Sequence, residues 1–254
     1  MKLIIGGDGI IGAALISDWG SKKCPFQATT KIESRTSHHR PFLDLSAPFR
    51  PISDINYSAV ILLAGKTSAK WCEDHPTESA IINVDRTIEI ARFFAKQGSH
   101  ILFLSSTQVF DGSRANYKPS DPVNPTTEYG QQKVRAEKAM LELPISTVLR
   151  IPKISHPTSR LFNEWKNDLT QGRSISAFSN VYLSLVTIEA VIDSINKILN
   201  EKLYGIRHLS GEPEISYVDY ARAICQSLGV STTFVVPRSV GTDVIIHQHS
   251  SLAE

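Results

Sequence analysis

Short and nearly continuous runs of apolar residues recur along the first 150 positions of the chain. Such runs indicate strands buried on both faces, as in a parallel sheet, because a half-exposed strand would alternate apolar and polar residues. The predicted strands are residues 2–6, 25–30, 59–64, 100–106 and 146–152. Between them, apolar positions at helical spacing predict helices over residues 10–19, 77–97 and 128–143. This alternation indicates right-handed crossovers and a parallel sheet covered by helices on both faces.

The rhythm of the pattern changes after Arg150. The elements predicted there are a helix near 159–171, a strand at 174–178, a strand and a helix within 183–199, a strand at 205–211 and a helix over 216–229. Gly229 is the expected end of the last helix. We therefore predict an α/β fold: a Rossmann-type doubly wound parallel sheet in residues 1–150. Residues 151–254 mainly form a small C-terminal substrate-binding lobe, with some elements returning to the sheet.

The composition is that of an ordinary globular protein, with 41% hydrophobic and 20% charged residues among 254. The 27 basic and 25 acidic residues nearly cancel, so we expect neither nucleic acid nor a membrane surface as a partner. Three widely separated cysteines disfavour a disulfide framework or a zinc site, and we expect no metal. The longest apolar stretch, residues 59–65, is too short to span a bilayer. These features predict a soluble cytoplasmic protein.

The segment IIGGDGIIG, residues 4–12, joins the first predicted strand to the first predicted helix. Its glycines fit two spacings: Gly7, Gly9 and Gly12 form G-x-G-x-x-G, and Gly6, Gly9 and Gly12 form G-x-x-G-x-x-G. Either spacing predicts a loop that binds a dinucleotide pyrophosphate, because glycines allow close backbone approach and the helix N-terminus offers free N–H groups. The predicted contacts in this segment are Gly6, Gly9, Ile10, Ile11 and Gly12.

The residues after the second predicted strand decide between NADP and NAD. Lys31 and Arg35 can pair with a 2′-phosphate, whereas Glu33 can bind a ribose 2′-hydroxyl. Lys31 lies nearest the strand end, so we favour NADP over NAD. Residues 42–46 predict a further strand that ends near the adenine, and residues 62–68 supply small side chains beside the cofactor. The contacts predicted there are Asp44, Leu45, Ala64, Gly65 and Lys66.

Tyr129 and Lys133 form Y-x-x-x-K at the start of a predicted helix, where this spacing places both side chains on one face. A tyrosine with an ordinary pKa of about 10 is a poor acid–base group at neutral pH, and a neighbouring ammonium would lower that pKa. A third group is expected at the carboxyl end of the fourth predicted strand, where substrates of open α/β sheets bind. We choose the hydroxyl of Ser106, and its neighbours Ser105 and Thr107 stay open because they point to the other face.

The ordered set of Gly6-Gly9-Gly12, Ser106, Tyr129 and Lys133 favours the G-x-x-G-x-x-G spacing. With this set the chain resembles the extended short-chain dehydrogenase/reductase family. Within that family, the resemblance is nearest to dTDP-4-dehydrorhamnose reductases and related sugar-nucleotide-modifying proteins. The similar segments cover most of the chain: residues 67–91, 105–112 (SSTQVFDG), 124–138 (NPTTEYGQQKVRAEK) and 205–224.

The resemblance implies an NADP-dependent reduction of a keto group on a nucleotide-linked deoxysugar, in cell-surface polysaccharide or glycoconjugate biosynthesis. Tyr129 would protonate the oxygen, Ser106 would hold it, and Lys133 would orient the nicotinamide ribose and lower the pKa of Tyr129. The resemblance also implies that Tyr129 and Lys133 both contact the bound cofactor. The implied substrate contacts are Trp71, Thr107, Gln108 and Arg150, with core packing as an equal alternative for Trp71. A homodimer is compatible with the resemblance, since short-chain enzymes commonly pair through helices.

The chain departs from the family pattern in the substrate region. Thr107-Gln108 replaces Asp-Tyr, RIPKIS replaces the W-V-Y motif after the fifth strand, and HQHSSL replaces R-P-x-x-S-x-L near the end. Two other functions therefore stay open: a sugar-nucleotide epimerase with the same three catalytic residues, and a non-catalytic NADP-binding subunit like the regulatory subunit of methionine adenosyltransferase. A 4,6-dehydratase is disfavoured, because Thr107-Gln108 lacks the acidic pair that water elimination needs.

Overall fold

The computed structural model describes residues 1–52, 55–156, 160–241 and 247–253. The strands are β1 (Lys2–Ile5), β2 (Phe26–Ala28), β3 (Ala59–Leu62), β4 (His100–Ser106), β5 (Ser146–Ile151), β6 (Lys153–Ile154), β7 (Ile175–Phe178), β8 (Tyr182–Leu183), β9 (Leu185–Val186), β10 (Gly205–His208), β11 (Ile215–Ser216) and β12 (Val235–Arg238). The helices are α1 (Ile10–Ser21), α2 (Ala69–Asp74), α3 (Pro76–Ala80), α4 (Thr87–Ala95), α5 (Glu128–Leu141), α6 (Arg160–Thr170), α7 (Ile188–Glu201) and α8 (Tyr217–Leu228). A π-helical segment, Ile81–Arg86, joins α3 to α4. Within these described ranges, the helices lack the length and apolar character needed to cross a membrane.

A six-stranded sheet lies at the centre of the fold. Its strand order is β10–β5–β4–β3–β1–β2, and every neighbouring pair is parallel. The five strands predicted from the apolar runs all lie in this sheet, so those predictions are confirmed. The chain passes from β1 to β2 on one side and then to β3 on the other, so the winding reverses at β1. In open α/β sheets, ligands bind beyond the carboxyl ends of the strands at such a reversal.

Two apolar clusters hold helices against the two faces of the sheet. On one face α4 and α5 pack through side chains such as Phe94 and Met140. On the other face α1 and α7 pack through side chains such as Trp19 and Ile195. Residues of one strand enter the two clusters alternately, because successive side chains of a strand point to opposite faces. The predicted doubly wound Rossmann-type fold is therefore confirmed.

The strand predicted at residues 42–46 is wrong. Phe42 makes only an isolated bridge to Thr30, and the chain then turns at Asp44. The Asp44 carboxylate accepts the backbone N–H of Ser46 at 2.9 Å. This local bond offers the backbone an alternative to a strand ladder, which is the usual effect of aspartate in turns.

Much of the chain after Arg150 forms a smaller lobe around a third apolar cluster. Its core includes Phe162 and Trp165 of α6 and Ile224 of α8. The predicted helices at 159–171 and 216–229 correspond to α6 and α8, and residue 159 lies outside the described residues. In contrast, α7 packs on the face of the sheet that α1 covers, and β10 pairs with β5 at the sheet edge.

Residues 247–253, which we call the C-terminal strap, cross from the lobe to the loop after β4. Leu252 forms a parallel bridge with Tyr117 in that loop. On the lobe side, the Glu214 carboxylate accepts the backbone N–H of Ser251 at 2.9 Å. The strap therefore ties the smaller lobe to the carboxyl edge of the central sheet.

Candidate active site

A cavity of about 510 Å³ opens at the carboxyl ends of β1 and β3 and at the start of α1. Small-molecule sites commonly have about 300–1,000 Å³. Every cofactor contact predicted in the first half of the sheet lines this cavity except Arg35: Gly6, Gly9, Ile10, Ile11, Gly12, Lys31, Asp44, Leu45, Ala64, Gly65 and Lys66. The structure therefore brings together residues that are up to 60 positions apart in the chain, from Gly6 to Lys66.

The backbone of the glycine loop can approach an anion closely, because Gly6 and Gly12 lie where there is no room for a Cβ atom. Gly6 has a φ of 103°, and a Cβ there would lie 2.7 Å from the backbone N of Ala64. A Cβ on Gly12 would overlap the carbonyl oxygen of Gly6. Gly9 precedes α1, whose first turn carries no acidic side chain and no side-chain cap. The first N–H groups of α1 are thus available to a pyrophosphate, as the sequence predicts.

The rim of the cavity near the end of β2 holds a charged cluster, which we call the Asp8 cluster: Asp8, Thr30, Lys31, Arg35 and Arg40. Asp8 accepts the Thr30 hydroxyl at 2.8 Å, the Lys31 backbone N–H at 3.1 Å and Arg40 Nη2 at 2.7 Å. Arg35 Nη1 lies 3.5 Å from the same carboxylate. Burial raises the pKa of Asp8, but these hydrogen bonds and charges outweigh burial and hold the pKa below its usual range. Sequence reasoning identified Lys31 and Arg35 here and missed Asp8 and Arg40.

Asn83 braces the cavity loop from behind. Its side chain accepts the backbone N–H of Lys66 at 2.8 Å and donates to the Lys66 carbonyl at 2.9 Å. It also donates to Gln132 Oε1 at 2.7 Å, so it joins the loop to α5. Asn83 lies in the π-helical segment, and π turns inside helices often occur at functional sites. The sequence contained one signal for this role, because Asn83 lies in a segment that resembles the family.

We expect Asn83→Ala to destabilise the protein by about 1–3 kcal/mol, because buried partners on Lys66 and Gln132 lose their hydrogen bonds. Binding of a dinucleotide should weaken as well, since the loop that forms the cavity wall loses its brace. Urea unfolding and a binding titration would measure the two effects. Asn167→Ala on the exposed face of α6 is the matched control. Equal stability of the two variants would contradict the role assigned to Asn83.

Tyr129 and Lys133 lie in the first two turns of α5, on the face that meets β4. Thr127 caps this helix by accepting the backbone N–H of Gly130 at 3.1 Å. Lys133 Nζ donates to the carbonyl of Leu104 at 2.9 Å and lies 5.7 Å from the ring centroid of Tyr129. Ser106, Tyr129 and Lys133 do not line the cavity in the described structure, but Leu104 does. The Y-x-x-x-K helix thus meets the cavity from behind its wall.

The prediction that Lys133 lowers the pKa of Tyr129 is wrong for this structure. Burial raises the pKa of Tyr129 well above its ordinary value, and no lowering contribution from Lys133 offsets it. Burial likewise lowers the pKa of Lys133 to about 8. At neutral pH, Tyr129 is therefore a neutral phenol with a proton to donate, and Lys133 is still largely protonated.

Ser106 ends β4 and caps the short turn that follows. Its hydroxyl accepts the backbone N–H of Gln108 at 3.3 Å. Ser105 points to the other face, where its hydroxyl is buried without a hydrogen-bond partner among the described residues. A Cβ on Gly130 would overlap the carbonyl oxygen of Gln108, so this turn and the start of α5 are in direct contact. The structure thus keeps the strand end of Ser106 and the helix of Tyr129 together.

The predicted substrate contacts fall into two groups. Trp71 is partly exposed on α2, and Lys66 Nζ lies 4.7 Å from its ring centroid, which places it beside the cavity wall rather than in the core. Thr107 and Gln108 lie in the turn after β4, where His247 of the C-terminal strap donates to the Thr107 carbonyl at 3.1 Å. These residues line the boundary between the sheet and the strap.

The assignment of Arg150 as a substrate contact does not agree with its position. Its side chain is 3% exposed and forms an ion pair with Glu137 at 2.7 Å. Arg150 Nη1 also lies 3.4 Å from His208 Nε2, and the guanidinium stacks on Phe110. Its charge is therefore used inside the protein, between β5 and α5.

The two histidines of the HQH segment do not share a ligand site. His249 pairs through Nδ1 with Glu214 at 2.7 Å, while His247 binds the Thr107 carbonyl. Across the described residues, no cluster of three or more His, Cys, Asp or Glu side chains is arranged to hold a metal ion.

A doubly wound sheet, a glycine loop at its winding reversal and a Y-x-x-x-K helix behind the cavity define the class as Rossmann-type α/β proteins of the extended short-chain kind. Within this class, the chain belongs to the RmlD substrate binding domain family, whose model matches residues 1–244. The family resemblance inferred from the motifs is therefore confirmed.

Relatives with two different names are similar to this chain. Methionine adenosyltransferase 2 subunit beta of Bos taurus is 26% identical over 253 residues, which cover 92% of this chain and 74% of the relative. A dTDP-4-dehydrorhamnose reductase of Aggregatibacter actinomycetemcomitans is 30% identical over 192 residues, covering 69% of this chain and 63% of the relative. The crystal structure of the dTDP-4-dehydrorhamnose reductase of Bacillus anthracis in complex with NADP has a TM-score of 0.83 and 21% identity, covering 99% of this chain and 88% of that one.

Proposed function

We propose that the protein is an NADP-dependent reductase of a keto group on a nucleotide-linked deoxysugar, in the biosynthesis of a polysaccharide or glycoconjugate. The observation that carries the proposal is the contact between Lys133 and Leu104, which joins the Y-x-x-x-K helix to the wall of a cavity of suitable size. Membership of the RmlD substrate binding domain family supports it. The relatives named dTDP-4-dehydrorhamnose reductase, one of them solved with NADP, support the choice of substrate and cofactor.

The division of labour follows the fold. Residues 1–150 would bind the dinucleotide, and residues 151–254 would mainly bind the sugar nucleotide. The loop from Gly6 to Gly12 would hold the pyrophosphate with its backbone, because side chains are absent where the loop closes. Lys31 and Arg35 would hold the 2′-phosphate at the rim.

In the proposed reaction, side chains at the carboxyl edge of the sheet bind and protonate the substrate oxygen. NADPH bound in the cavity would supply the hydride for reduction of the keto carbon. Tyr129 donates its phenolic proton to the oxygen, which fits its neutral form in this structure. Ser106 would bind the same oxygen through its hydroxyl, and Lys133 would hold the nicotinamide ribose. The turn at Thr107 and Gln108, with Trp71 and the C-terminal strap, would contact the sugar.

A non-catalytic regulatory subunit is the second candidate. The relative named methionine adenosyltransferase 2 subunit beta matches 92% of this chain, a larger share than the reductase relative matches. In that case the cavity would bind NADP without turnover, and the protein would act through a stoichiometric partner. Fold alone does not separate the two candidates, since one fold hosts both catalytic and non-catalytic proteins.

The deciding experiment follows loss of NADPH absorbance with a panel of 4-keto-6-deoxy nucleotide sugars, with NADH run in parallel. The matched control is the corresponding nucleotide sugar without the keto group. Turnover with NADPH that depends on the keto group would establish the reductase and identify its substrate. Tight NADPH binding with no turnover on any sugar, together with a co-purifying partner protein, would overturn the reductase proposal. The protein would then be assigned as a regulatory subunit.

A further inference from the structure

The rim of the cavity carries a carboxylate where NADP would bring a phosphate. Asp8 belongs to the glycine loop and lines the cavity, yet its carboxylate is directed to the end of β2. It accepts the Thr30 hydroxyl and the Lys31 backbone N–H, at 2.8 and 3.1 Å. The end of β2 is the place where dinucleotide-binding proteins recognise the adenosine ribose or its 2′-phosphate. A negative charge therefore already lies at this position in the protein.

Arg40 is held beside this carboxylate by the backbone around it. Its own N–H donates to the Ser37 carbonyl at 3.0 Å, and the next residue, Pro41, accepts the backbone N–H of Thr30 at 3.0 Å. These bonds bring a residue 32 positions away from Asp8 into an ion pair of 2.7 Å. The side chain of Arg40 is 29% exposed, so part of it is open to solvent.

The charges of the cluster do not balance without a further anion. The guanidinium groups of Arg35 and Arg40 carry two positive charges beside the single carboxylate of Asp8, and Lys31 contacts this carboxylate through its backbone N–H. In addition, Nε of Arg40 is buried and has no hydrogen-bond partner among the described residues. Such an unsatisfied donor is unfavourable, and a guanidinium can donate two of its N–H groups to the oxygens of a phosphate. The cluster is thus suited to a second anion.

We propose that Asp8 is an internal counter-ion that competes with the 2′-phosphate of NADP for Arg40, and so sets the preference of the site between NADP and NAD. Arg40 is then the principal ligand of the 2′-phosphate, with Lys31 and Arg35 beside it. Asp8 repels the phosphate and can accept a hydrogen bond from the 2′-hydroxyl of NAD. Its charge therefore lowers the affinity for NADP relative to the affinity for NAD. This inference rests on the proposed function only in that the cavity binds a dinucleotide.

The test is a direct binding titration of NADPH and NADH with the full-length protein, followed by protein fluorescence. Asp8→Asn keeps the size of the side chain and an acceptor for Thr30 and Lys31 but removes the charge. It should shift the ratio of the two Kd values toward NADPH by about tenfold, because a like charge near the phosphate is removed. Arg40→Met should shift the ratio toward NADH by about tenfold, because a charge-assisted hydrogen bond is lost.

The matched control is Asp18→Asn at the other end of α1, where the carboxylate pairs with Lys22. This variant should leave the ratio of the two Kd values unchanged. An unchanged ratio in Asp8→Asn, or a shift toward NADH, overturns the inference and leaves the reductase proposal intact if the wild type still binds NADPH. If the wild type binds neither dinucleotide, both proposals fall.

Discussion

Tyr129→Phe should lower turnover of a keto nucleotide sugar by about 10²- to 10⁴-fold, the range expected when a positioned general acid is removed. The substitution deletes only the phenolic hydroxyl from a side chain that is 8% exposed. Burial keeps this phenol protonated, so the group that the substitution removes is the proposed proton donor rather than a nearby charge. The measurement is kcat with saturating NADPH and substrate.

Two readouts separate chemistry from folding in this variant. The Kd for NADPH should stay unchanged, because Tyr129 lies outside the cavity that the dinucleotide would occupy. Tyr204→Phe is the matched control, since Tyr204 is exposed and its ring contacts His100, away from α5. If the Tyr129→Phe variant turned over substrate at the wild-type rate, Tyr129 would not be the acid. The proton donor would then be another group near Ser106.

Arg150→Met should lower the free energy of unfolding by about 3–5 kcal/mol, because it leaves the Glu137 carboxylate buried without its partner. Both side chains of this pair are 3% exposed, and two guanidinium nitrogens reach the carboxylate at 3.0 and 2.7 Å. Urea denaturation at neutral pH would measure the loss. The variant should still bind NADPH under conditions in which it is folded, since Arg150 does not line the cavity.

A double variant and a surface control test the cause of that loss. Arg150→Met combined with Glu137→Met should recover most of the stability, because replacing both members of a buried ion pair is often neutral. Arg173→Met breaks an exposed pair with Asp168 and should cost at most about 1 kcal/mol. If Arg150→Met were no more harmful than Arg173→Met, the buried pair would not be a major contributor to stability.

Local patterns were sufficient to predict the sheet and the family. Most strands of the central sheet come from short apolar runs, which are typical of strands buried on both faces. The glycine loop between β1 and α1 is a contiguous motif. Both signals lie within a few neighbouring residues, so one sequence is enough to read them. The same local reasoning failed at residues 42–46, where the Asp44–Ser46 bond turns the chain instead of extending it.

Features that depend on pairing across the fold could not be read in advance. The ion pair of Asp8 with Arg40 forms because the segment after β2 returns along that strand. The ion pair of Arg150 with Glu137 depends on how α5 lies on β5. The raised pKa of Tyr129 depends on burial by several elements together. The roles assigned to Ser106, Tyr129 and Lys133 stay predictions until the variants above are measured.

The π-helical segment between α3 and α4 has a consequence for changes in chain length. An extra residue in one turn rotates the parts of a helix before and after it by about 100° relative to a continuous α-helix. Ser79, before the segment, receives a hydrogen bond from Gln132 of α5, whereas Phe94, after it, lies in the core against the sheet. A single-residue deletion within 81–86 would restore the α-helical repeat and turn one of these two faces away from its neighbour. Deletion of one residue from an exposed loop would only shorten a connection.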